Sequence, residues 1–205
     1  MLSTLFSNPL LFLVWAIGLI LAISVHEYAH ARAADRLGDP TPRSQGRLTL
    51  NPRAHLDPLG TIALLFLGFG WGRPVMFDPY NLRSPRRDSA LIALAGPASN
   101  LLFATVLSII SKVFALPILL DTISYVLISM NVMLAIFNLV PIFPLDGQKI
   151  LGGLLPPSLY REFETIMHQY GTIILILMLL PIAGGTSPIS ALISPIISFV
   201  TGLLL

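Results

Sequence analysis

The sequence predicts an all-α polytopic membrane protein of about five transmembrane helices, with a small membrane-associated re-entrant β-hairpin between the first two. Three observations carry that expectation. Of 205 residues, 55% are hydrophobic and only 11% charged, with a mean hydropathy of +0.82, which is more apolar surface than a soluble domain of this size can bury. Uncharged runs long enough to cross a bilayer recur along the chain. Nine of the twelve Lys and Arg residues fall between Arg32 and Arg87, as expected of a loop facing one side of a membrane.

The first span is placed at residues 9–37. Met1 to Val25 carries no charge, Pro9 suits a first helical turn, and Gly38 with Pro40 forms the stop. No basic segment precedes the apolar run, which argues against a cleaved signal peptide. The second span, 88–116, starts at Asp88 and holds 23 uncharged residues before Lys112; its small-residue stretch Ala93, Ala95, Gly96, Ala98 and Ser99 lets another helix approach closely. A third span, 122–140, must unwind after about Asn138, because Pro141 and Pro144 remove backbone donors. Thr165 to Leu205 is uncharged for 41 residues and is split by Gly184-Gly185 and Pro188, which suits two further spans at 165–183 and 188–205.

Between the first two spans, Gly60 to Gly72 is apolar but too short and glycine-rich to cross a bilayer as helix. The segment 44–77 is therefore read as re-entrant or interfacial, with short strands flanking the apolar run. With no repeat or low-complexity tract, residues 1–205 read as one membrane-embedded domain. The basic residues place the 31–87 loop in the cytoplasm, the N-terminus outside, the C-terminus inside, and the chain in a plasma membrane.

Composition also excludes classes of function. With no cysteine, there is no disulfide framework, thiolate metal site or cysteine nucleophile, and His, Asp and Glu remain as metal ligands. The pI near 9.2 reflects loops beside apolar spans, where basic side chains meet anionic head groups of the lipid bilayer; no aromatic-basic motif points to nucleic acid.

The chemistry lies in His26-Glu27-Tyr28-Ala29-His30. His26 and His30 are i and i+4, so on a helix both imidazoles project from one face and can hold one Zn²⁺. Glu27 lies one residue round the helix, beside the metal's open position, where its carboxylate can take a proton from an attacking water. Ionisable groups at the end of an apolar span are costly unless paired, coordinated or hydrated. Two histidines leave the site incomplete. Asp146 in Leu145-Asp146-Gly147 is the best remaining carboxylate, although Leu-Asp-Gly after prolines is also an ordinary turn that caps a helix. Asn138 can hydrogen-bond a substrate carbonyl or satisfy backbone freed by Pro141, and the sequence leaves both roles open.

The other polar residues have structural readings. His55 is expected to order a loop beside Asp57, His168 to lie at the interface on an amphipathic stretch, and Asn100 and Asn131 to hydrogen-bond between helices. Two alternatives to an enzyme are a membrane metal transporter and an inactive zinc-stapled scaffold. The first should place ligands along a path across the bilayer, and the second has no need of Glu27.

Five ordered blocks resemble the site-2 protease family of intramembrane zinc metalloproteases, in its compact prokaryotic form. They are His26 to His30, Asn51-Pro52 with His55 to Thr61, Gly70 to Val75, Ala95 to Asn100, and Asn138 to Gly147, within residues 15–151. The resemblance implies one zinc per chain on His26, His30 and Asp146, with Glu27 activating water and Asn138 near the substrate backbone. It also implies cleavage of transmembrane segments of other proteins, and homo-oligomers are compatible with it. Phe143 and Gln148 stand where the family pattern has proline and glycine, but neither is a ligand. A substrate helix must unwind before cleavage, and the 44–77 segment is expected to receive it by β-addition.

Overall fold

Asn8 and Pro9 begin the first helix. The Asn8 side chain accepts from the Leu11 N–H at 3.0 Å, and Pro9 fills a position that has no helical donor to lose. In the computed structural model, which describes residues 6–67, 70–182 and 185–205, this helix α1 runs Pro9–Leu37. Gly38 ends it at φ 108, a left-handed conformation that suits glycine, and the Asp39 N–H returns to the Ala34 carbonyl at 3.0 Å. The short helices α2 (Thr41–Ser44) and α3 (Pro58–Leu67) follow. Then come α4 (Pro85–Phe114), α5 (Ile118–Asn138), α6 (Asp146–Leu154), α7 (Pro157–Leu179) and α8 (Pro188–Leu204).

Three of these helices, α1, α4 and α5, are long and apolar enough to cross a membrane among the described residues. The five-span expectation is corrected accordingly. Arg161, Glu162 and Glu164 occupy the first half of α7, so its uncharged part runs only from Thr165 to Leu179, roughly 22 Å of helix against a hydrocarbon core of about 30 Å. Helix α8 has 17 residues and contains Pro195. Part of the turn expected between them, residues 183–184, lies outside the described residues.

The β-hairpin is a second correction. The described residues contain no β-strand, only an isolated antiparallel bridge between Leu56 and Gly72, with the Arg73 N–H donating to the His55 carbonyl at 2.7 Å. The apolar run becomes α3 instead, because Pro58 and the Asp57 carboxylate start a helix there. The Gly60 N–H donates to Asp57 Oδ1 at 2.8 Å. An apolar run without polar alternation carries no period-2 signal to oppose it. Gly68 and Phe69, also within the expected hairpin, lie outside the described residues.

Packing joins α1, α4 and α5. Leu19 and Ile23 of α1 meet Val126 and Met130 of α5, where a Cβ on Gly18 would stand 2.8 Å from the Leu127 side chain. A second cluster joins Ala104 of α4, Ile128 and Val132 of α5, Leu175 of α7, and Ile189 and Ile193 of α8. Where the three long helices meet, the fully buried Asn100 amide donates to the Ala22 carbonyl at 3.1 Å and to Asn131 Oδ1 at 2.8 Å. Asn131 in turn donates to the Leu127 carbonyl at 2.8 Å. The expected interhelical role of both asparagines thus has a geometry, since hydrocarbon offers no other partner for an amide.

The 39–81 segment folds against the end of α1 around two buried charged residues. Asp39 accepts from the Thr41 hydroxyl at 2.6 Å, from the Asp78 N–H at 2.8 Å and from the Asn81 amide at 2.8 Å. Arg47 donates to the carbonyls of Ala54, Arg73 (2.9 Å) and Pro74 (2.7 Å). Between them these bonds determine the path of the irregular backbone. Asn131→Leu should lower stability by about 1 kcal/mol, the scale of one interhelical hydrogen bond in a membrane. Equilibrium unfolding in mixed micelles measures it, and an unchanged midpoint would contradict the assigned bond.

Candidate active site

His26 and His30 sit one turn apart on α1, with ring centroids 4.6 Å apart and planes at 86°. Each ring is tied at Nδ1: His26 to Asn100 Oδ1 at 2.6 Å, and His30 to the Ile92 carbonyl at 2.7 Å. An oxygen acceptor at Nδ1 calls for a proton there, which leaves a lone pair on each Nε2. Those two nitrogens lie 3.0 and 3.2 Å from the same atom, Asp146 Oδ2. Three electron-pair donors thus converge in a buried place, their ligand atoms all within 4.8 Å of one another. Neutral imidazoles in this tautomer put no proton between them, so the arrangement fits a cation, and the N,N,O donor set suits Zn²⁺.

Different elements position each member. The 3.6-residue period of α1 aligns the two imidazoles, while α4 supplies Ile92 and Asn100 and, at Gly96, the space they need. A Cβ on Gly96 would run into both rings. Asp146 arrives because α5 stops at Asn138 and a non-helical turn through Pro141 and Pro144 delivers it as the first residue of α6. Gly147 allows that turn to close, since a Cβ there would meet the carbonyls of Leu139 and Val140.

Glu27 accepts from the Val75 N–H at 2.9 Å. It lines a cleft of about 120 Å³ together with both histidines, Asp146, Asn138 and Lys149. The Lys149 ammonium lies 4.4 Å from the Phe77 ring centre at this cleft. Asn138 donates one amide hydrogen to the Leu134 carbonyl at 2.9 Å, one turn back, while its side chain borders the cleft. Glu27, Asn138, His26, His30 and Asp146 are therefore brought together from positions up to 120 residues apart.

The remaining sequence candidates lie elsewhere. His55 is fully buried and bonds the Thr49 carbonyl at 2.7 Å, so it orders the loop as expected, but through Thr49, while Asp57 caps α3. His168 packs against Phe143 at 5.2 Å and takes no part in the cleft. Arg32 pairs with Asp35 at 3.2 Å and leaves Glu27 to Val75.

Sequence reasoning missed the roles of Val75, Arg47, Gly96 and the Ile92 carbonyl. Of these only Gly96 carried a signal, within the small-residue stretch that lets another helix approach closely. Arg47 holds the Arg73 and Pro74 carbonyls, His55 holds the Arg73 N–H, and Glu27 holds the Val75 N–H. This stretch is thereby occupied by its own chain, contrary to the open strand edge that β-addition requires.

Gly96→Val should push both rings off their bonds and weaken zinc affinity about tenfold or more, as losing a ligand-orienting contact does. Competition with a chromogenic chelator reads it. Arg47→Met should unpair three backbone carbonyls and loosen the path that brings Val75 to Glu27, lowering activity severely while zinc content stays near that of the unmodified chain. Loss of zinc in that variant would show that the loop supports the ligands rather than Glu27.

The model for peptidase family M50 matches residues 115–179. The chain is 40% identical over 171 residues to "Putative zinc metalloprotease YwhC" of Bacillus subtilis, covering 79% of this chain and 78% of that one. It is 31% identical over 181 residues to "Putative zinc metalloprotease Rip2" of Mycobacterium tuberculosis, covering 82% and 67%. It is 27% identical over 175 residues to "Zinc metalloprotease MJ0392" of Methanocaldococcus jannaschii, covering 85% and 44%. No solved structure matches it. With its apolar helices and its His-His-Asp cluster, the chain belongs to peptidase family M50, the site-2 protease family, and is a membrane zinc metalloprotease.

Proposed function

We propose that this protein hydrolyses peptide bonds within or near the transmembrane segments of other membrane proteins, with His26, His30 and Asp146 holding zinc and Glu27 carrying the proton. The observation that carries the reading is the convergence of both Nε2 atoms on one carboxylate oxygen, 3.0 and 3.2 Å away, beside a cleft that Glu27 also lines. A bound zinc ion supplies Lewis acidity, polarising a carbonyl and lowering the pKa of water. Glu27 takes the proton of the attacking water and delivers it to the leaving amine, so one carboxylate serves as base and then acid. The Val75 N–H holds that carboxylate in place between the two steps. Asn138 has a second amide hydrogen beyond the one bonded to Leu134, and it can reach a substrate carbonyl at the cleft.

The whole of residues 1–205 works as one membrane-embedded unit in this reading. The basic 32–87 region marks the cytoplasmic side, which puts the cleft at the cytoplasmic end of α1 in a plasma membrane. The substrate span has to unwind to present its peptide bond, because a helical peptide group is hydrogen-bonded and shielded. A transporter would need ligands in succession along the bilayer. The described residues offer a single His/Asp/Glu group with ligand spacing, which favours chemistry over passage.

Glu27→Gln should retain about one zinc per chain and lose cleavage of single-span test substrates by about 10²–10⁴-fold, the contribution of a positioned acid–base group. Asp146→Asn should lose zinc and cleavage together. Cleavage that survives Glu27→Gln would sink the assigned proton carrier, and zinc retained by Asp146→Asn would sink the assigned ligand.

A further inference from the structure

A second, larger groove of about 530 Å³ runs between α1 and α4, and none of its lining residues belongs to the catalytic cleft. Its floor is made of small side chains, Ala29, Ala33, Ala95 and Ser99, and its rim includes Leu102 and Val106, which are 66% and 46% exposed. At one end stand Arg32 and Arg36. Arg32 contacts Asp35 at 3.2 Å, but Asp35 is already gripped by Arg43 through two bonds of 2.8 Å. Arg36 has no carboxylate partner among the described residues. Arg32 therefore shares its one carboxylate with Arg43 and Arg36 has none, which leaves excess positive charge at the polar end of a mainly apolar groove.

The groove also has the dimensions of one leaflet. Along α1 it extends from Val25 to Arg36, roughly 16 Å of helix, about half of the ~30 Å hydrocarbon core. Its charged end lies toward the basic loop, where head groups lie. We propose that it seats an acyl chain of an anionic glycerophospholipid, whose phosphate is bound by Arg32 and Arg36. A guanidinium matches phosphate oxygens in paired hydrogen bonds, and the excess positive charge selects an anionic head group over a zwitterionic one.

Native mass spectrometry of the full chain tests this, after equilibration with equimolar phosphatidylglycerol and phosphatidylcholine of identical chains. The unmodified protein should retain phosphatidylglycerol in preference to phosphatidylcholine. The double variant Arg32→Gln/Arg36→Gln should lose that preference by about thirtyfold, the scale of two basic residues at an anionic surface. Ser99→Trp should fill the groove and release both lipids, with Ala33→Leu as the smaller filler should the first variant fail to fold. Zinc content identifies folded protein in every case. A preference unchanged in the double variant, or retention unchanged in the folded filler, would reduce the lipid to nonspecific annulus and overturn the site. A photocrosslinker at Ser99 that captures a substrate span instead of lipid would overturn it in favour of substrate docking.

Discussion

Two imidazole lone pairs and a carboxylate aimed at one buried point repel one another unless a cation holds them, and the positions of four helices follow from keeping them there. Helix α1 contributes the rings, but their orientation comes from α4, through Asn100 on His26 and the Ile92 carbonyl on His30. The absence of a side chain at Gly96 lets α4 come close enough to make those bonds. Asn131 on α5 then fixes Asn100, so the interhelical polar bonds of the bundle lead directly to His26. In a membrane, where apolar contact between helices competes with equally apolar lipid, close packing and such hydrogen bonds give the bundle its specific geometry.

The segment after α1 solves a different problem. It must place one backbone N–H, that of Val75, against Glu27 from a stretch that is itself neither helix nor strand. Buried polar hubs take that role: Asp39 gathers Thr41, Asp78 and Asn81, and Arg47 gathers the carbonyls of Ala54, Arg73 and Pro74. Each hub satisfies backbone groups that a sheet would otherwise have paired. This explains how the region stays ordered with a single isolated bridge, and why its edge has little to offer a substrate strand.

Helix α1 presents different chemistry on adjacent faces. His26 and His30 look toward α4 and Asp146, Glu27 toward Val75, and Val25, Ala29, Arg32 and Arg36 toward the outer groove. At 100° per residue these stripes are neighbours on one cylinder. Whatever occupies the outer groove therefore touches the same pair of helices that orients the two imidazoles, while sharing no residue with the cleft they line.

The membrane character, the three long helices, and the i, i+4 spacing that puts His26 and His30 on one helix face with Glu27 beside them were legible from sequence, because each is a local property: hydropathy over a window, or the 3.6-residue period of a single helix. The place of Asp146 was legible only in part, since a turn aspartate carries no local mark of the two rings it meets once the chain folds back over 120 residues. The hairpin failed because Asp57 and Pro58 begin a helix, a capping effect that glycine content obscured. The fourth span failed because an uncharged run was counted without the charged first half of α7 that belongs to the same helix, and the fifth because α8 has only 17 residues and contains Pro195. Tertiary structure alone decided which oxygen orients each imidazole, which amide holds Glu27, and which glycine must lack a side chain. These are contacts between distant segments, and no local pattern of residue types records them.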